Sequence, residues 1–97
     1  MSREQVIEQL AKRQDELRRV FAVRRLRLFG SIARDEGRTE SDVDLLVEFD
    51  RKPTFDLYMD LKFFLEDLLG SQVDLVTEKA LKPRMRHLIE RESVNVT

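Results

Sequence analysis

The apolar positions divide the chain into segments with two different periods. In residues 3–20, Val6, Ile7, Leu10, Ala11 and Leu17 recur at three- and four-residue spacing, with Gln14 in the same stripe. That spacing predicts one amphipathic helix over the whole stretch. RRLRLF (24–29) alternates instead, setting Leu26 and Leu28 against Arg25 and Arg27, and reads as a strand that Gly30 ends. Ser31 is the expected N-cap of a short helix near 32–36. VDLLVEF (43–49) is a second strand. Pro53 and Thr54 precede a helix carrying Leu57, Tyr58, Leu61, Phe64, Leu65 and Leu68, with Gly70 as its stop. QVDLV (72–76) is a third strand. Pro83 then opens a last helix through Met85, Leu88 and Ile89 to about Glu92, and VNV (94–96) is an edge strand or a frayed end. The order α-β-α-β-α-β-α predicts an α/β or α+β sheet with helices packed on one face.

Length and composition bound what such a sheet can do. Ninety-seven residues are expected to form one domain over 1–97 with a single core and no second substrate-binding domain. With no cysteine, disulfide frameworks and thiolate metal sites are excluded, which suits a reducing, cytoplasmic setting. MSREQVIEQL lacks an apolar signal core, and no apolar run approaches membrane-spanning length. The net charge of −1 argues against indiscriminate nucleic-acid binding, but the charges are unevenly placed. Residues 1–28 carry eight Lys/Arg against four Asp/Glu, residues 29–80 six against thirteen, and residues 81–97 four against two. An acidic centre between basic ends suits cation binding in the middle, although solvated helix faces would give the same counts.

The second strand contains the chemistry. Val43, Leu45, Val47 and Phe49 share one of its faces; Asp42, Asp44, Leu46 and Glu48 share the other. Asp42 and Asp44 are therefore neighbours, roughly 7 Å apart at Cα. In the third strand Val73 and Leu75 face the core and Asp74 projects oppositely. If these strands are close in the sheet, three carboxylates converge on its open face. They would raise one another's pKa values unless a cation held them. Oxygen ligands without His or Cys favour magnesium or manganese, whose remaining positions water and phosphate commonly fill. Gly30-Ser31 supplies a second element, because glycine permits close backbone approach and a hydroxyl with free amides suits anionic oxygens. A phosphate cradle beside metal-binding carboxylates is equipment for phosphoryl or nucleotidyl transfer. Residues 42–49 lack the glycine and polar spacing of an EF-hand, and GSIARDEG lacks the Gly-Lys-Ser/Thr of a Walker A loop.

Gly30-Ser31, ten residues, then Asp42-Val43-Asp44 resembles the signature of the DNA polymerase beta-like nucleotidyltransferase superfamily. The run GSIARDEGRTESDVDLLVEF, a helix ending LLG, and QVDLVTEKALKP are most similar to its smallest branch, the minimal nucleotidyltransferases (MNT). The likeness spans roughly residues 20–92. Asp35 departs from it, since many relatives have glycine there. The resemblance implies a nucleotidyltransferase fold with a small mixed sheet and the active site on its open face. It further implies that Asp42 and Asp44 bind two magnesium ions, and that Asp74 ligates the catalytic one and helps deprotonate the attacking hydroxyl. Gly30 and Ser31 would hold the phosphates of ATP, and Arg34 follows that turn closely enough to touch either a triphosphate or a partner. Attack at the α-phosphorus would release pyrophosphate and leave AMP on the acceptor. MNT proteins of prokaryotes typically act as antitoxins of HEPN-domain ribonuclease toxins, some by adenylylating a toxin tyrosine. The resemblance thus implies a hetero-oligomer with a HEPN partner that supplies the acceptor, and no membrane or sequence-specific nucleic-acid binding. The alternatives are a non-catalytic antitoxin acting by occlusion and a nucleotide sensor that binds ATP without transfer. A template-directed polymerase is disfavoured, because nothing here would grip a primer.

Other residues have blander readings. His87, the sole histidine, is expected on the surface of the last helix, and Tyr58 in the core with its hydroxyl at the rim. Arg25 and Arg27 could contact phosphate or balance the carboxylates, and Glu48 suits a structural ion pair.

Overall fold

The structure, a computed structural model, describes residues 1–34 and 42–96. Its first helix, α1 (Arg3–Ala11), starts at a capping box: the Ser2 hydroxyl accepts from the Gln5 N–H, and the Gln5 side chain accepts from the Ser2 N–H. The single helix expected over 3–20 is in fact two. The Arg13 N–H turns back to the Leu10 carbonyl, an i→i−3 bond that tightens the chain, and α2 (Gln14–Arg19) begins beyond it. Both pieces still bury their leucines, Leu10 and Leu17, completely.

The strands are β1 (Val23–Phe29), β2 (Val43–Phe49), β3 (Val73–Thr77) and β4 (Val94–Asn95), in the sheet order β3-β2-β1-β4. β1 runs antiparallel to both β2 and β4, while β2 and β3 are parallel, so the sheet is mixed as the resemblance implied. VNV (94–96) resolves as the edge strand. Parallel neighbours need a crossover, and α4 (Phe55–Leu69) provides it. Its bounds follow from chemistry at each end. The Thr54 hydroxyl accepts from the Leu57 N–H at 3.1 Å, and Gly70 closes the helix in the left-handed conformation at φ 66°. Leu61, Leu65 and Leu69 of α4 and Val6, Leu10 and Leu17 of α1 and α2 meet Leu26, Leu28, Val43, Leu45, Val47, Val73 and Leu75 of the sheet in one core. The alternation of β1 and β2 therefore places their charged side chains on the far side of the sheet.

Between β1 and β2 lies α3 (Gly30–Ala33), a single turn. It starts two residues earlier than a Ser31 cap requires, and the Gly30 carbonyl already accepts from the Arg34 N–H at 3.2 Å; Ser31 sits inside the turn. The remainder of the helix expected near 32–36 lies outside the described residues. A 3₁₀ turn (Glu78–Ala80) leads to α5 (Pro83–Glu92), with proline at its start as expected. Ile89 of α5 is buried outside the main core, as is Leu46, whose side of β2 is that of Asp44. The C-terminal end of α5 thus lies over the face opposite the core, beside β1 and β4. His87 is exposed on it.

Tyr58 packs against the core, and its hydroxyl donates to the Leu75 carbonyl, one residue beyond Asp74. Tyr58→Phe should lower stability by about 1 kcal/mol, the net worth of a typical hydrogen bond, as read from urea denaturation.

Candidate nucleotidyl-transfer site

The three aspartates converge because of strand register. In the parallel pair Val43 stands opposite Val73 and Asp44 opposite Asp74. Side chains alternate, so burying the two valines turns both aspartates to the other face, on adjacent strands spaced about 4.8 Å apart. Asp42 precedes β2 on the same side. Two bonds from backbone N–H groups fix this end of the sheet: the Val43 N–H donates to the Gln72 carbonyl at 2.9 Å, and the Val73 N–H to the Glu66 side-chain carboxylate at 3.0 Å. Asp42 and Asp74 are exposed, whereas Asp44 is half-buried.

Asp44 carries the strain of the cluster. Burial raises its pKa, and the charges of Asp74 and Asp42 raise it further; the Arg34 guanidinium acts in the opposite direction. A carboxylate held in this way gains from any cation that neutralises its neighbours. Among the described residues no three such side chains are drawn together tightly enough to cage an ion as they stand. The donor set nevertheless fits magnesium or manganese: all oxygen, two of three side chains exposed and able to turn inward, and an anionic excess at the third.

Gly30 meets this cluster from β1. Phe29 is the register partner of Asp44, so the following residue passes directly beside that carboxylate. Gly30 adopts φ 77°, a left-handed conformation, and a Cβ placed on it would collide with the carboxylate, coming within 2.9 Å of Cγ and 3.2 Å of Cβ of Asp44. The sequence singles out glycine as a way to let phosphate approach; here the close approach is already made by Asp44. Ser31 follows, half-buried, in the turn whose end the Arg3 guanidinium ties down at the Ala33 carbonyl.

Arg34 reaches across to α5, pairing with Glu92 at 2.9 Å while its charge still acts on Asp44. Glu92 was not legible as part of this site, since the two residues are 58 positions apart and nothing in the helix pattern marks it. Arg25 and Arg27 stand opposite Glu48 and Leu46 in the β1–β2 ladder, on the face that holds Asp44 and Asp74. Glu48 pairs with Arg24 at 3.5 Å, the structural role expected of it. A cleft of about 560 Å³ at the other end of β2, against Glu48, Asp50, Lys52 and Lys79, contains none of the three aspartates.

Carboxylates aligned across parallel strands, with a glycine turn against the middle one, define a phosphate-handling enzyme of the nucleotidyltransferase kind. The chain belongs to the nucleotidyltransferase domain family, which it matches over residues 6–95. The protein adenylyltransferase MntA of Thermococcus cleftensis is 41% identical to it over 87 residues, covering 90% of this chain and 88% of that protein. A solved structure assigned to the minimal nucleotidyltransferases superimposes with a TM-score of 0.81 at 39% identity, covering 97% of this chain and 95% of the other. A solved complex of tri-AMPylated Shewanella oneidensis HEPN toxin with MNT antitoxin contains a chain of the same fold, with a TM-score of 0.67 at 18% identity over 94% of this chain and 71% of that one. No helix among the described residues is long and apolar enough to cross a membrane.

Proposed function

We propose that this chain is a metal-dependent protein adenylyltransferase that moves AMP from ATP to a tyrosine of a HEPN-domain ribonuclease toxin, neutralising it. The observation that carries the reading is the side-by-side placement of Asp44 and Asp74 with Gly30 against Asp44. The adenylyltransferase relative and the MNT–HEPN complex support the choice of AMP and of partner.

In this reading Asp42, Asp44 and Asp74 hold magnesium, which when bound supplies Lewis-acid stabilisation of the charge on the reacting phosphate. The remaining work falls to the chain's own groups. The Gly30-Ser31 turn and Arg34 orient the triphosphate, with Arg34 exchanging part of its pairing with Glu92 for phosphate oxygen. The tyrosine oxygen bonds to the α-phosphorus as the bond to the β-phosphate oxygen breaks. Pyrophosphate leaves, and the exposed Asp74 carboxylate accepts the hydroxyl proton.

Intact-mass spectrometry of the purified partner, after incubation with this protein, ATP and magnesium, tests the reading. An increase of one or more AMP units supports it, and peptide mapping should place the adduct on tyrosine. An unchanged mass alongside tight complex formation would replace catalysis with occlusion. Ser31→Ala should weaken ATP binding about fivefold, the worth of one ordinary hydrogen bond, measured by calorimetry. Equal affinity would remove the hydroxyl from the cradle.

A further inference from the structure

One cleft on the face of Asp44 and Asp74 is not used by this scheme. It measures about 460 Å³ and is lined by Arg25, Arg27, Glu90, Ser93 and Asn95, every one polar. β1 and β4 form its floor, where Arg27 and Asn95 are register partners, and the end of α5 forms its wall. Among the described residues neither Arg25 nor Arg27 makes an ion pair or side-chain hydrogen bond, although Arg24 of β1 and Arg34, just beyond α3, both do. Glu90 is the one carboxylate lining this cleft, and Glu48 and Glu78, which border a small neighbouring cavity with the same two arginines, pair with Arg24 and Arg86, so among the described residues the cleft keeps a positive excess. Arg27 is also a diagonal neighbour of Asp44 in the ladder, roughly 7–8 Å away, on the side away from Gly30.

We propose that this cleft is a nucleoside monophosphate subsite on the acceptor side of the reaction, and this rests on the nucleotidyl-transfer reading above. The two guanidinium forks suit the two free oxygens of a phosphodiester. Glu90, Ser93 and Asn95 supply acceptors and donors for ribose hydroxyls and base edges. The volume lies in the range of small-ligand clefts. A triphosphate cradled at Gly30 and Ser31 lies on the other side of Asp44, so the cleft takes the nucleotide already transferred. From there a ribose hydroxyl oxygen can bond to the α-phosphorus of a second ATP. The bond to the β-phosphate oxygen breaks, pyrophosphate leaves with that electron pair, and the hydroxyl proton passes to Asp74 or water. Successive AMP units on one acceptor are the consequence.

The subsite can be tested without any transfer. Labelled AMP is dialysed to equilibrium against the full chain saturated with magnesium and a non-hydrolysable ATP analogue. One equivalent of AMP should bind beyond the analogue. The double variant Arg25→Gln, Arg27→Gln should lose about tenfold or more in AMP affinity with the analogue's affinity unchanged. Arg25→Lys, Arg27→Lys, which keeps the charge but not the forks, should fall between, and it serves if the glutamine variant does not fold. Absence of AMP binding beyond the analogue, equal binding by wild type and variants, or parallel loss of analogue affinity would each overturn the subsite. AMP binding here with no adduct on the partner would overturn the proposed function alone.

Discussion

Asp44→Asn is expected to reduce nucleotidyl transfer by about 10²–10³-fold or more, the scale seen when one electrostatic contact to a developing charge is removed, while the protein folds and melts no lower than its parent at neutral pH. The two halves of this expectation have one cause. Burial, then Asp74, then Asp42 raise the Asp44 pKa above its ordinary value, so the folded protein holds that proton more tightly than the unfolded chain does. A group whose folded pKa is raised contributes stability that is present below its unfolded pKa, about 3.9, and is lost as pH rises through the folded value. At pH 7 the ionised Asp44 therefore detracts from stability, and asparagine, similar in shape and uncharged, relieves this. The melting advantage of the variant should shrink as pH falls below about 4, where wild-type Asp44 is itself neutral. Magnesium should reverse the order, raising the wild-type melting temperature more than the variant's, since only the intact cluster gains by binding it. A variant that melts well below wild type at pH 7 would instead make Asp44 a structural residue. Full transfer activity would take it out of the chemistry.

Why the aspartates could be found from sequence, and some of their neighbours could not, follows from the range of the forces involved. The bounds of β2 were legible because alternation over 43–49 is a local signal that one buried face enforces. Thr54 and Gly70 marked α4 for equally local reasons. The break between α1 and α2 was not legible, since neither glycine nor proline stands at Lys12-Arg13 and both halves continue the same apolar stripe. Ser31 misled as a cap because a serine after a glycine satisfies the cap rule, while the turn closes on the glycine's own carbonyl. The faces of Asp44 and Asp74 could be read, but their register could not: it depends on how α4 returns the chain. The Arg34–Glu92 pair and the Arg25–Arg27 cleft depend on where α5 settles, and no periodicity within α5 encodes that.

Gly30→Ala is expected to abolish transfer almost as completely as Asp44→Asn, although it adds only a methyl group to a residue with no functional side chain. Two penalties meet there. At φ 77° any Cβ is strained by about 1–2 kcal/mol. That Cβ would also overlap the Asp44 carboxylate, and because Cγ and Cβ of Asp44 lie at 2.9 and 3.2 Å, rotating the carboxylate tip alone does not clear it. The side chain must leave its place beside Asp74, or β1 and β2 must part where Phe29 pairs with Asp44. Either movement dismantles the cluster. The two penalties separate in a double-mutant cycle with Asp44→Ala, read by urea denaturation at pH 7. If the carboxylate is the obstacle, Gly30→Ala should cost about 1–2 kcal/mol in the Asp44→Ala background, the backbone term alone, and clearly more in the wild type. Equal costs in both backgrounds would mean that the glycine serves only its backbone angle, and that the contact with Asp44 does not shape the site.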